Sequence, residues 1–198
     1  MEQVKTAGRD WLLQCAINQA TAVQLWQDDP AAPLTMATGR SFDAVVLSDR
    51  LGLETIDLIS KHTLPFTPAM LDVRARKIAL LLPPRSRRVF TTMLRNLRAP
   101  IENVHYLSEG GYLVIPGPRP EADSRHQWVT PPVCSPAESK LRTAAVALAV
   151  CQAAQNLDER STPHSTLYRP TRILTRSAAP RRPATPCVTD HEWPEAAK

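Results

Sequence analysis

Apolar residues recur along the first three-quarters of the chain with two periods, and the change of period predicts the elements. Over residues 8–27, Trp11, Leu12, Cys15, Ile17, Ala22, Leu25 and Trp26 return at roughly helical spacing, which predicts a helix or two short helices broken near Asn18–Thr21. Asp28-Asp29-Pro30 closes that segment, because proline cannot continue a helix and biases the residue before it to an extended form. Leu34–Ala37 reads as a short strand, with a tight turn at Thr38-Gly39-Arg40. Phe42–Leu47, β-branched and aromatic with a turn before it, is a second strand. Ser48 or Asp49 is placed to cap a helix from Arg50 to His62 that buries Leu51, Ile56 and Ile59. A short strand at Met70–Val73 and a basic bend at Arg74–Lys77 follow. The uninterrupted run Ile78–Leu82, ended by Pro83-Pro84, predicts a strand covered on both faces. Ser86 is expected to cap a helix to about Leu97, with Val89, Phe90, Met93, Leu94 and Leu97 on its apolar side.

Ile101–Leu107 and Tyr112–Ile115 are strand patterns joined by Ser108-Glu109-Gly110-Gly111, which signals a hairpin because glycine supplies the positive φ of a tight turn. Gln127–Val129 reads as an edge strand before Pro131-Pro132. Ser135-Pro136-Ala137-Glu138 is a capping box with proline at the first helical position. The helix it opens is predicted to reach about Asn156, with Leu141, Ala145, Leu148 and Ala149 facing the body. Beyond Leu157 the periodicity stops. Residues 158–198 are rich in Pro, Ser, Thr and Arg and offer too little apolar surface to offset their ordering entropy, so a disordered tail is expected. The fold class is α+β, in one domain over residues 8–157. Its central sheet is expected to hold the strands within Arg40–Val46, Arg76–Pro84 and Gly110–Pro118.

Composition narrows the partners. A net charge of +5 and a pI near 9.3 favour an anionic partner such as nucleic acid. No apolar run approaches the ~20 residues of a membrane span, and the first ten residues lack an apolar leader core, so a cytoplasmic protein is expected. Cys15, Cys134, Cys151 and Cys187 form no C-x-x-C pair and lie near no histidine at finger spacing, which argues against zinc; Cys15 and Cys151 read as small core residues. The chain holds no P-loop, no dinucleotide fingerprint and no nucleophile elbow, and its histidines are scattered. Asp43 stands out, since a carboxylate within a β-run is costly to bury unpaired. It faces outward, pairs with an arginine such as Arg40, or serves as a metal carboxylate. Side chains on one strand face repeat every second residue, and position 45 is valine, which weighs against the metal.

The order of segments carries a resemblance. Tryptophan-bearing helices, GRSFDAVVL, a helix, RKIALLLPP, SEGGYLVIPGP and a QW strand before a proline pair resemble the N-terminal domain of bifunctional DNA primase–polymerases, of the archaeo-eukaryotic primase superfamily, over roughly residues 9–132. The likeness is to the short, divergent members found in actinomycete bacteria. It implies a primase–polymerase-like mixed or antiparallel sheet flanked by helices. Asp43 matches the first acid of the family's D-x-D/E motif, but Val45 replaces the second. Arg76 matches the arginine of the Gly-Arg-His motif, and Lys77 stands where its histidine would be. His105 occupies the place of the third-motif aspartate, and Pro118 that of a later serine. The resemblance therefore implies Asp43 as a vestigial metal ligand, no working catalytic set, and no metal or other cofactor. It implies a nucleic-acid ancestry, and the function expected first is an inactive module binding DNA or a replication protein; Arg40, Arg74, Arg76, Lys77, Arg85, Arg87 and Arg88 either contact phosphates or form an ordinary solvated surface. Two alternatives stand beside it: a metal-dependent DNA primase or polymerase using Mg²⁺ or Mn²⁺, and an interaction protein with no nucleic-acid role.

Overall fold

The chain is organised around β4 (Lys77–Leu82), which is buried from Ile78 to Leu82. Neighbouring side chains on a strand point to opposite faces, so Ile78, Leu80 and Leu82 enter one core while Ala79 and Leu81 enter another. The continuous apolar run is thus the signature of a sheet covered on both sides. The computed structural model describes residues 4–64, 67–98, 104–133 and 140–161, all within one compact unit. The predicted capping box at Ser135–Glu138 and all but the first residues of the predicted tail lie outside them.

In chain order the elements are α1 (Thr6–Cys15), α2 (Gln19–Asp28), β1 (Leu34–Ala37), β2 (Asp43–Ser48), α3 (Asp49–Lys61), β3 (Ala69–Asp72), β4, α4 (Arg87–Asn96), β5 (His105–Leu107), β6 (Tyr112–Ile115), β7 (His126–Thr130) and α5 (Lys140–Ser161). A five-stranded sheet runs β5-β2-β4-β3-β7, and a two-stranded sheet pairs β1 with β6; every pairing is antiparallel. The α+β prediction holds. Two details of the sheet differ from expectation. Strand β6, from the segment Gly110–Pro118, is not in the central sheet but pairs with β1. The glycine turn forms, with Gly111 N–H donating to the Ser108 carbonyl at 2.9 Å, yet among the described residues β5 pairs with β2 and not with β6. The turn instead docks on the β1–β2 turn: Thr38 donates from its amide to Gly111 and from its hydroxyl to the Ser108 carbonyl. Gly39, at φ +96°, permits this, since a Cβ there would lie 2.3 Å from the Glu109 nitrogen.

Helices α3, α4 and α5 cover one face of the five-stranded sheet, and α5 packs against both others. Ser48 caps α3, accepting from the Leu51 amide. Ser86 stands at the start of α4, but its side chain does not cap the helix; it bonds Thr143 on α5 instead. The α5 face that packs is made of Thr143, Val146, Ala147, Val150 and Ala153, small residues that let the helices approach closely. Leu141 and Leu148, expected to face the body, fall on the opposite stripe and are exposed. The helix also runs past Leu157 to Ser161, where Arg160 meets Glu54 of α3 at 3.1 Å. On the other face, Trp11, Leu12 and Trp26 from α1 and α2 join Met36, Phe42, Ala44, Met70, Ala79, Leu81 and Ile115 in the second core. Cys15 and Cys151 are buried as expected, and burial raises both thiols, Cys15 to about 11. No described helix is long and apolar enough to cross a membrane.

Candidate functional site

Asp43 opens β2 directly opposite Leu82, and its side chain shares the helix-covered face with Val45 and Leu47. It is fully buried. One carboxylate oxygen, Oδ2, accepts from the Ser86 amide at 2.9 Å and from the Tyr106 hydroxyl at 2.8 Å. The other, Oδ1, has no hydrogen-bond partner among the described residues. Ser86 Oγ and Thr143 Oγ1 lie 2.8 Å apart, which extends the polar cluster to α5. The phenol of Tyr106 is pushed well above its ordinary range by burial, reinforced by the Asp43 carboxylate that it serves as donor. Asp43 therefore has neutral donors as partners rather than Arg40.

The opposite face is covered by the second core except at one opening, and this open face carries a different kind of chemistry. There a cavity of about 280 Å³ is floored by Val46, Met70 and Ala79 and walled by Tyr112, Leu113 and Val114 of β6. Its polar rim is Asp72, Lys77, Arg125 and His126, contributed by β3, β4 and β7 and the loop before β7. Register explains the grouping: Asp72 pairs with Lys77 across one ladder and with His126 across the other. The guanidinium of Arg125 takes the Asp72 carboxylate, Nη2 to Oδ2 at 2.7 Å and Nε to Oδ1 at 3.0 Å. That pairing holds the Asp72 carboxyl down to about 2. His126 Nε2 is 3.5 Å from the same carboxylate, and burial lowers the imidazole's affinity for a proton.

The seven basic residues picked from the sequence fall into two groups at opposite ends of the β2–β4 ladder. Asp43 faces Leu82 at one end and Ser48 faces Lys77 at the other, roughly 17 Å away at ordinary strand rise. Arg40, Arg85, Arg87 and Arg88 flank the Asp43–Leu82 end in sequence, and all four are exposed. Among the described residues no carboxylate pairs with any of them. Arg74, Arg76 and Lys77 lie at the other end, where Arg76 Nε is 2.8 Å from Asp49 and lowers that carboxyl's pKa. Both Arg76 and Arg85, which bracket β4, hold left-handed backbone, at φ 53° and 61°. That conformation is uncommon outside glycine, so it places the two side chains at some cost.

A two-metal centre needs several carboxylates converging on one point. On the open face the cavity offers Asp72, already bound by Arg125, beside the Lys77 ammonium. Asp43 points to the other side of the sheet, with alanine and valine at positions 44 and 46 on the open face. No group of three His, Cys, Asp or Glu side chains suited to a metal ion occurs among the described residues. The donor set does not fit a pair of divalent ions. Sequence reasoning missed Asp72, Tyr112, Arg125 and His126. Asp72 breaks an apolar strand as Asp43 does, and that signal lies in the sequence; the cross-strand register that gathers the four does not.

A family model for the N-terminal domain of bifunctional DNA primase/polymerases matches residues 3–141. No curated protein and no solved structure matches the chain. The matched span contains every strand and every side chain of both polar clusters except Thr143, and the chain belongs to the family of bifunctional DNA primase/polymerase N-terminal domains.

Proposed function

We propose that this chain is a catalytically inactive primase–polymerase-like module that binds nucleic acid, with the exposed arginines Arg40, Arg85, Arg87 and Arg88 as its main phosphate contacts. The observation that carries the reading is the direction of Asp43. Its carboxylate is enclosed against Ser86 and Tyr106, away from the open face, where Lys77 and the Arg125–Asp72 pair stand. An ammonium group at that place opposes a divalent cation by direct charge repulsion. The four arginines beyond the Leu82 end keep their charge free for a ligand, whereas Arg76 directs part of its charge to Asp49. Phosphate contacts of this kind position a nucleic acid without reading its sequence.

The test is a binding series on single-stranded, primed and duplex DNA at increasing salt, beside primer synthesis and extension assays with Mg²⁺ and Mn²⁺. Affinity should fall steeply with salt, and replacing Arg85, Arg87 and Arg88 with alanine should flatten the slope by about 0.7–0.9 for each phosphate that is no longer neutralised. No nucleotide incorporation is expected with either metal. Metal-dependent incorporation abolished by Asp43→Ala in a folded protein would overturn the inactive reading. Absence of DNA binding at low salt would shift the weight to contact with a replication protein.

A further inference from the structure

The register that sets Asp72 opposite Lys77 would ordinarily let the two charges pair. They do not. Arg125 draws the carboxylate away with a two-pronged contact, and His126 approaches it from the next strand. The Lys77 ammonium has no ion-pair partner among the described residues. It is half-buried on the rim of a cavity floored by apolar side chains, where its charge is less screened than on open surface. Of the charged groups that face the cavity, two are cations and one is a carboxylate, and burial disfavours the charged form of the imidazole beside them.

We infer that the open-face cavity is a metal-independent binding site for a small oxyanion, with Lys77 as its primary contact and Arg125 as a second cation held in place by Asp72. A family site that works through divalent ions would supply positive charge by metal. Here lysine and arginine side chains supply it, and the excess of positive charge makes the cavity suited to an anion without any ion bound first. Its volume of about 280 Å³ admits a phosphate or a phosphate ester with a small planar body, which Leu113, Val114 and the ring of Tyr112 would flank. The inference concerns a different group of residues from the arginines beyond Leu82, so either can fail alone.

The experiment is calorimetric titration of the full chain with inorganic phosphate and with phenyl phosphate, each in EDTA and again with Mg²⁺. Binding in EDTA is expected for at least one probe; tighter binding of phenyl phosphate identifies an ester as the ligand, and equal binding identifies free phosphate. Lys77→Gln, which keeps most of the aliphatic stem, should weaken binding at least tenfold, with its fold checked by thermal melt. Arg95→Gln, an exposed cation on α4 away from the cavity, should leave binding unchanged. If Lys77→Gln fails to fold, Tyr112→Ala at the exposed wall should still remove the preference for the aromatic ester or, for a phosphate site, leave affinity unchanged while 2 M potassium chloride abolishes it. No binding of either probe in EDTA, binding that requires Mg²⁺, or undiminished binding to folded Lys77→Gln would overturn the inference.

Discussion

Two aspartates interrupt the apolar strands of this sheet, and the fold treats them in opposite ways. Asp43 lies under the helices, fully enclosed, with an amide and a phenol as donors. Asp72 lies at the rim of the open face, held by a half-exposed arginine and approached by a histidine. A carboxyl in the interior depends on its hydrogen bonds, because water is excluded, and Asp43 has them on Oδ2 only among the described residues. A charge at a rim can be balanced by an ion pair that costs little and contributes little. The comparison separates a carboxylate that holds layers together from one that sets the charge of a surface. It also explains why an acid in a strand is ambiguous as a sign of catalysis: the residue type is the same in both places, and only the surroundings differ.

Removing Asp43 should have the largest effect. In Asp43→Ala the Ser86 amide and the Tyr106 hydroxyl lose their acceptor inside a closed layer, while a small cavity opens beside them. Unsatisfied buried donors cost about 1–3 kcal/mol each, so a loss of about 3 kcal/mol is expected in urea denaturation. A change below about 1 kcal/mol would mean that the carboxylate is not holding the strands to the helices. Tyr106→Phe is the milder cut. It leaves Asp43 with the Ser86 amide alone, and a hydrogen bond to a charged group is worth about 1.5–3 kcal/mol, so about 2 kcal/mol should be lost. Equal losses in Asp43→Ala, Tyr106→Phe and the double variant would show that the two act as one unit.

How much of this is legible in the sequence follows from the range of the interactions. Helices α1 to α4 and the strands β1 to β4 can be read from periodicity and turn residues, because those signals are local. The partner of β6 cannot, since the Gly110-Gly111 turn looks the same whether it closes a hairpin or carries the chain to another sheet. The packed face of α5 differs from expectation because a leucine pattern outweighs alanine in a sequence reading, although close helix contact favours the small residues Ala147 and Ala153. Asp43 stands out from the sequence alone as the unusual strand residue. Its partners come from Ser86 and Tyr106, at sequence distances of 43 and 63 residues, which no local pattern reports. The arginines are legible as charges, but their division between the two ends of the β2–β4 ladder, and the meeting of Arg76 with Asp49, depend on the register of β2 with β4.

The smallest expected effect concerns Asp72. In the folded protein its carboxyl is held at about 2 against an ordinary value of 3.8, chiefly by Arg125, so between those values the unfolded chain binds more protons. Stability from this group is therefore complete above about pH 4 and is lost as the pH falls toward 2. His126 acts in the same direction at higher pH: burial lowers its proton affinity below the ordinary 6.5, so the unfolded chain takes the proton first and stability declines as the pH drops through that value. Of the charged groups acting on the imidazole, Asp72 favours its charged form and Arg125 opposes it. Asp72→Asn should cost less than about 1 kcal/mol at pH 7, because half of Arg125 is in solvent. The difference between wild type and variant should persist from pH 7 to about pH 5 and shrink toward pH 3 in denaturation measured across that range. Asp43→Ala should show its full loss at pH 7 and depend on buried donors rather than on Arg125. A deficit in Asp72→Asn as large as that of Asp43→Ala, or one that does not change with acid, would erase the distinction between the rim carboxylate and the buried one.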